Sequence, residues 1–136
     1  MKIYINRFKL ILLRLPAILI AAVIWFLSSQ STLPQIKGIF GWDKMQHLLA
    51  FGALSVAVGL WFSPAFWSRR SAVALLLTAI IGSAYGAIDE FHQYFVGRCC
   101  DIFDWIADTL GAMLGALAVM LFMKIIINRE AKNVNP

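Results

Sequence analysis

Charged residues are scarce in this sequence, and their scarcity excludes most classes of soluble protein. Only 14% of the 136 residues are Asp, Glu, Lys or Arg, whereas 61% are hydrophobic and the mean hydropathy is +0.78. Soluble domains contain about 25% charged residues. Because about 20 apolar residues are needed to cross the hydrocarbon of a bilayer, this length allows roughly four spanning helices. The composition therefore predicts an all-α, polytopic membrane protein with a single domain over residues 1–136.

Cysteine and the motifs of known catalytic sites are also scarce. The two cysteines, Cys99 and Cys100, are adjacent, and neighbouring residues do not easily reach the geometry of a disulfide. The sequence contains no H-E-x-x-H, no paired C-x-x-C, no G-x-S-x-G and no phosphate-binding loop. Motif spacing therefore predicts no metal site and no cofactor.

The basic residues predict topology rather than nucleic-acid binding. The net charge is +5, but the cations flank apolar runs and do not form a patch with interleaved aromatic residues. Nine of the 12 lysines and arginines lie near the two termini or in the turn that contains Trp67, Arg69 and Arg70. Since positively charged loops stay in the cytoplasm, both termini are predicted there. The expected location is the bacterial cytoplasmic membrane, crossed several times.

Four apolar runs predict four transmembrane helices. Their approximate bounds are 10–30, 44–62, 71–93 and 104–127. The first run could be a cleaved signal peptide, but it has no clear A-x-A site and uncharged residues continue to Ile36, so a retained helix is favoured. Asp43 stands just before the second run, where we expect it to cap the helix. The helices are predicted to form one bundle with both termini inside.

The stretch from Tyr85 to Gly115 holds five of the seven acidic residues and interrupts the apolar pattern. Residues three, four and seven apart share a helix face, so Asp101, Asp104 and Asp108 form one stripe, and Asp43 and His47 form another. We expect the outer ends of three helices to converge on one polar pocket. Its predicted residues are Asp43, Lys44, His47, Asp89, Glu90, Gln93, Arg98, Asp101, Asp104 and Asp108.

Two members of this predicted pocket carry specific expectations. Asp108 lies sixteen residues before Lys124, about 24 Å along a helix, which places its carboxyl group inside the hydrocarbon boundary. Several carboxylates cannot all stay ionised beside so few cations, so they must share protons or a cation. Arg98 is expected to fold back over the helix ends and pair with Asp89 or Asp101.

Glycines at helical spacing predict close packing between helices. They form the pairs Gly82-x-x-x-Gly86 and Gly111-x-x-x-Gly115, and small residues of this kind let two helix backbones approach each other. His92 stands among aromatic residues near a predicted membrane boundary, so we expect it to be part of an interfacial aromatic belt.

Four motifs, in this order, resemble the VanZ-like family of bacterial membrane proteins. They are Leu27-Ser28-Ser29-Gln30 with Leu33-Pro34, Asp43-Lys44-x-x-His47, Tyr85-Gly86-x-x-Asp89-Glu90-x-x-Gln93 with Gly97-Arg98, and Asp101-x-x-Asp104-x-x-x-Asp108-x-x-Gly111. The resemblance implies a family whose namesake lowers susceptibility to the glycopeptide antibiotic teicoplanin. The chain departs from that family at Asp108, where relatives often have Asn, and at Cys99-Cys100, where small or polar residues are usual.

The favoured function is non-enzymatic binding at the outer face of the membrane. The predicted pocket would bind a lipid head group or a lipid-linked cell-wall precursor and so change the access of glycopeptides such as teicoplanin, the antibiotic being supplied by the resemblance alone. Donors for a phosphate or sugar would come from Arg98, Lys44, His47 and Gln93.

Three other interpretations stay open from the sequence. A membrane-embedded enzyme would use Asp89, Glu90 or Asp108 with His47 as acid and base. A proton-coupled carrier would use the buried acids as a relay. A structural network of ion pairs would only lock three helices together. The ligand and the oligomeric state are not determined by the sequence.

Overall fold

Five helices make up the residues that the structure describes, which are 7–30, 41–98 and 100–134 of a computed structural model. The helices are α1 Arg7–Ser28, α2 Trp42–Gly59, α3 Pro64–Arg69, α4 Ser71–Phe95 and α5 Ile102–Val134. No strand occurs within those ranges, which confirms the all-α prediction. Most of the predicted outer turn before α2 lies outside the described residues, as does Cys99 of the cysteine pair.

The start of α2 differs from the prediction. Gly41, with a φ of 73°, is the N-cap, and no side chain caps the helix. The expectation that Asp43 caps α2 is therefore wrong, because Asp43 lies within the first helical turn and its carboxylate accepts from Lys44. Glycine adopts this left-handed conformation at little steric penalty, so the helix can begin at Trp42 without a polar cap.

A short helix, α3, lies where the apolar pattern predicts only a turn. Ser63 is its N-cap and accepts a hydrogen bond from the backbone N–H of Phe66 at 3.2 Å, and Pro64 follows at the first helical position. Serine before proline is a favoured start for a helix, so this pair of residues is the sequence signal for α3. The end of α5 also lies beyond the predicted residue 127, because its last turns contain Lys, Arg, Glu and Ala, which are good helix formers.

Three of the helices are long and apolar enough to cross a membrane, in the segments Ile11–Ser28, Ser71–Phe95 and Ile102–Lys132. Large apolar side chains such as Phe26, Ile80 and Phe122 are exposed on their outer faces, as expected for contact with lipid. α2 is not among the three, since its first two turns are mostly polar or charged. The fourth spanning helix therefore stays a prediction.

α2 contacts all three of these helices and packs most extensively on α5. A Cβ atom added at Gly111 would meet the backbone carbonyl oxygen of Leu48, and one added at Gly115 would meet that of Gly52. The predicted packing pair on α5 thus lies against the backbone of α2. Gly86 of α4 lies against Asp108 of α5, and Gly82 lies against both Ser55 of α2 and Ala112 of α5.

The order of the contacts brings the polar ends of four helices together. Leu48 and Gly52 meet Gly111 and Gly115 in the same chain direction, so α2 and α5 run parallel. α1 and α4 also run parallel, because Tyr85 donates to the carbonyl of Ala21 and Ser28 donates to Asp89. α4 and α5 run antiparallel, since Gly82 lies near Ala112 while Gly86 lies near Asp108. The C-terminal ends of α1 and α4 therefore meet the N-terminal ends of α2 and α5, at what we call the polar end.

Apolar side chains form two packed clusters, one nearer the polar end and one toward the other end of the helices. Near the polar end, Phe51 and Leu54 of α2 pack with Ile24 of α1. Toward the other end, Trp67 of α3 packs with Val119 of α5, and its indole N–H donates to the carbonyl of Gly59 at 3.1 Å. The polar end is thus supported by a packed apolar core rather than by loops.

Candidate functional site

Lys44 is the centre of a set of ion pairs at the polar end, which we call the lysine network: Asp43, Lys44, Asp101 and Asp104. Its Nζ lies 2.7 Å from Oδ1 of Asp104, 3.1 Å from Oδ2 of Asp101 and 3.2 Å from Oδ2 of Asp43. The Lys44 side chain is 37% exposed, so solvent screens part of this attraction. A single cation therefore joins the first turn of α2 to the start of α5.

These contacts shift the ionisation of the network. The hydrogen bond to Asp104 raises the pKa of Lys44 above its ordinary value. The backbone N–H of Phe103, followed by Lys44, lowers the pKa of Asp101. Partial burial would raise the pKa of Asp43, but its hydrogen bonds with Lys44 outweigh burial and lower it. Lys44, Asp43 and Asp101 are therefore charged at neutral pH.

His47, one helical turn after Asp43, pairs with Asp108. Nδ1 of His47 lies 2.8 Å from Oδ1 of Asp108, and Nε2 of His47 lies 3.9 Å from Oδ2 of Asp104. The side chain of His47 is 11% exposed and that of Asp108 is fully buried. A carboxylate that holds one imidazole nitrogen fixes the orientation of the ring and directs the other nitrogen. Acid–base catalysts use the same arrangement.

The last turns of α4 complete a second group, the buried acidic cluster, which consists of His47, Asp89, Glu90, Gln93 and Asp108. Asp89, Glu90 and Gln93 are each at most 3% exposed. Nε2 of Gln93 donates to Oδ2 of Asp89 and to Oε1 of Glu90, both at 3.1 Å. The side-chain amide of Gln93 thus donates to two acids of its own helix.

Neighbouring elements supply the other donors to this cluster. Oγ of Ser28 donates to Oδ2 of Asp89 at 2.7 Å, and the backbone N–H of Asp101 donates to Oε2 of Glu90 at 2.9 Å. These bonds anchor the end of α1 and the connection before α5 to α4. Ser28 was not among the predicted pocket residues, because the pocket was predicted from the other three long helices. Its signal in the sequence is the polar Ser28-Ser29-Gln30 run that ends the first apolar stretch.

Arg98 pairs with neither Asp89 nor Asp101, so the expected contact with one of them is wrong. Nη1 of Arg98 lies 3.4 Å from the backbone carbonyl oxygen of Ser28, and none of the ion pairs within the described residues includes Arg98. Gly97, with a φ of 78°, reverses the chain after α4, and the guanidinium then reaches the C-terminal end of α1. A cation is favourable there, next to the unpaired carbonyls of a helix end.

Several acceptors in the buried acidic cluster have no hydrogen-bond partner among the described residues. They are Oδ1 of Asp89, Oε1 of Gln93 and Oδ2 of Asp108. No described lysine or arginine forms an ion pair with Asp89, Glu90 or Asp108. Buried polar atoms are normally satisfied, so this cluster favours a bound donor, a proton or a cation. Ligand atoms of His47, Glu90 and Asp108 all lie within 4.8 Å of one another, close enough to hold a metal ion.

A groove of about 350 Å³ between α1 and α2 reaches this cluster. Its walls are mostly apolar, and its polar lining includes Ser28, His47 and Asp89. Leu27 and Leu49, which also line it, are exposed on the outer surface of the helices. The groove therefore connects a lipid-facing surface with the buried acidic cluster.

His92 contributes to the contact between α1 and α4. Its ring stacks on Trp25, with the ring centroids 3.7 Å apart and an angle of 19° between the planes. His92 is half-buried, and its Nδ1 is a buried atom without a hydrogen-bond partner in the part of the chain that is described. It thus packs against a neighbouring helix as well as lying among the aromatic residues with which the sequence grouped it.

A family model described as VanZ/LLP1 matches residues 4–123 of the chain. The match covers most of the sequence and includes the whole lysine network, the whole buried acidic cluster and the groove between α1 and α2. No curated protein and no solved structure matches the chain.

Proposed function

Since the chain belongs to the VanZ/LLP1 family, we propose that it is a multi-pass protein of the bacterial cytoplasmic membrane that binds an amphiphilic component of the cell envelope. The observation that carries this proposal is the groove between α1 and α2, which has apolar walls and a polar lining at His47 and Asp89. A molecule with a hydrocarbon chain and a polar head matches both parts of such a groove. The volume of about 350 Å³ falls in the usual range for ligand sites.

The distribution of charge supports an orientation with the polar end at the outer face. Most lysines and arginines lie away from that end, near the termini and in α3, and positively charged segments stay in the cytoplasm. In this arrangement α2 enters the membrane beside α5, although it is less apolar than the other long helices. Components of the outer leaflet then reach the groove laterally, past Leu27 and Leu49.

The polar head is one that presents hydrogen-bond donors. Three of the four donors expected from the sequence are engaged within the protein: Lys44 with carboxylates, the Gln93 amide with Asp89 and Glu90, and Arg98 with Ser28. Within the buried acidic cluster, the atoms that lack a partner among the described residues are acceptors, including Oδ1 of Asp89 at the groove. Hydroxyl groups of a sugar or an amine complement these acceptors better than a bare phosphate does. A lipid-linked cell-wall precursor has such hydroxyl groups, and its retention here would change the access of glycopeptides such as teicoplanin.

Filling the groove tests this function. Ala50 lines the groove, so Ala50→Trp should block it, whereas Ala118→Trp adds the same bulk at an exposed position of α5 outside the groove. In nanodiscs that contain a photoreactive lipid with a sugar head, we expect crosslinks on α1 and α2 that Ala50→Trp reduces at least tenfold and Ala118→Trp leaves unchanged. Equal crosslinking in both variants would contradict the proposal. Teicoplanin susceptibility of cells with matched membrane levels of each variant tests the antibiotic effect separately.

One observation favours a second function, a membrane-embedded acid–base enzyme acting on the same lipid. His47 lines the groove and is held by the buried carboxylate of Asp108 at 2.8 Å, as a general base is held by its orienting carboxylate. If the protein is an enzyme, His47→Gln should abolish turnover of the bound lipid, measured by mass spectrometry, and leave crosslinking in place. A lipid that is recovered unchanged from the wild type would rule this function out and leave the binding function.

A further inference from the structure

The buried acidic cluster combines a histidine and carboxylates from three different helices around one small volume. His47 comes from α2, Glu90 from α4 and Asp108 from α5, and one ligand atom from each lies within 4.8 Å of the other two. Glu90 and Asp108 are buried and His47 is nearly so. The sequence places all three residues in one predicted pocket, but their approach to metal-binding distance comes from the structure, because no two of them belong to one short motif.

The charges of this cluster are not balanced by the side chains around it. Asp89, Glu90 and Asp108 bring three carboxyl groups, and the one titratable base among them, His47, can carry at most a single positive charge. The ammonium group of Lys44 is paired with the acids of the lysine network, and the guanidinium group of Arg98 contacts the end of α1. Burying several carboxylates without a cation is strongly unfavourable.

A second, independent observation points to a bound ligand. Oδ2 of Asp108 is buried and has no hydrogen-bond partner within the described residues, although Oδ1 of the same group pairs with His47. Glu90, in contrast, has both oxygens held: Oε1 by the Gln93 amide and Oε2 by the backbone N–H of Asp101. Hydrogen bonds of this kind fix the orientation of a metal-binding carboxylate, as the hydrogen-bond partners of metal ligands do in known metal sites.

We propose that His47, Glu90 and Asp108 bind one divalent transition-metal cation of the Zn²⁺ or Mn²⁺ class. One imidazole nitrogen and two carboxylate oxygens suit these ions, and three protein ligands leave a coordination position open. The cation would neutralise the excess negative charge of the cluster. The open position would face the groove, because His47 also lines the groove. The site stands independently of what the groove binds.

Metal uptake by the purified protein tests this site. Protein prepared in detergent without a polyhistidine tag, stripped with EDTA and then titrated with Zn²⁺ should bind one ion per chain, measured by calorimetry and by elemental analysis. His47→Gln, Glu90→Gln and Asp108→Asn should each weaken binding at least tenfold. Glu130→Gln removes an exposed acid near the other end of α5 and should leave it unchanged. Absence of stoichiometric uptake by the wild type, or uptake that persists in the three variants, would overturn the site.

A measurement on the wild type alone guards against variants that fail to fold. Mn²⁺ bound to the stripped protein should show a ¹⁴N coupling in its pulsed electron paramagnetic resonance spectrum, because an imidazole nitrogen of His47 would be a direct ligand. Zn²⁺ should displace this signal. A bound Mn²⁺ without nitrogen coupling would also overturn the proposed ligand set.

Discussion

The hydrogen bond between Ser28 and Asp89 gives the most direct test of how α1 is attached to the site. Oγ of Ser28 lies 2.7 Å from Oδ2 of Asp89, and both side chains are buried. Losing a hydrogen bond to a buried acceptor costs about 1–3 kcal/mol. Ser28→Ala leaves Gln93 as the one side-chain donor that the structure shows for Asp89. We expect the free energy of unfolding to fall by about 2 kcal/mol, close to a 30-fold change in the folding equilibrium.

The neighbouring serine provides a matched control. Ser29 is exposed just after the end of α1, and its Oγ donates to the backbone carbonyl of Trp25, one turn earlier, so Ser29→Ala should change stability by less than about 0.5 kcal/mol. Unfolding by SDS in mixed micelles, followed by tryptophan fluorescence, measures both variants. A double-mutant cycle of Ser28→Ala with Asp89→Asn should give a coupling energy of about 1–2 kcal/mol. Equal effects of the two serine variants, or additive effects in the cycle, would refute the reasoning.

Two further predictions concern the remaining parts of the polar end. A Cβ atom at Gly86 would lie 2.8 Å from Cβ and Oδ2 of Asp108, so Gly86→Ala should destabilise the protein by about 1–3 kcal/mol in the same SDS assay, and an unchanged midpoint would show that α4 and α5 are not in this contact. The stability that the lysine network contributes should depend on pH. The pKa values of Asp43 and Asp101 are lowered from 3.8, so their contribution to stability is present above that pH and is lost as the pH falls below it. The pKa of Lys44 is raised, so its contribution to stability is intact up to at least pH 10.5. The difference in melting temperature between wild type and Lys44→Met should therefore be constant from about pH 5 to pH 9 and shrink below about pH 4, and a difference that grows in acid would contradict the assignment.

Helix positions were largely predictable, since apolar runs and their polar borders directly reflect the cost of placing charge in lipid. The predicted bounds of the third helix, 71–93, differ from α4 by two residues at one end. The predictions failed where local chemistry replaced apolarity as the deciding factor. Gly41 starts α2 through its backbone conformation, and Ser63 with Pro64 starts α3 inside the short connection between α2 and α4.

The pairings within the site were less predictable than its members. Helical spacing places Asp104 and Asp108 on one face of α5, because residues on one face of a helix stay together whatever the tertiary structure, and both contact α2. The partner of those acids depends on where a flexible cation comes to lie. Arg98 follows a glycine with positive φ and is carried to the end of α1, whereas Lys44 lies on α2 directly opposite the acids of α5. Charge alone does not distinguish these two outcomes.

The contact between α2 and α5 explains how a helix with polar first turns can belong among apolar ones. Judged alone, α2 is not apolar enough to cross a membrane. Its two basic side chains, however, are paired with acids of the neighbouring helix: Lys44 pairs with acids at the start of α5, and His47 pairs with Asp108. Gly111 and Gly115 let the two backbones approach closely enough for these pairs to form. The acids of α5 and the basic groups of α2 therefore pair with each other. A hydropathy criterion applied to each helix separately does not detect this pairing.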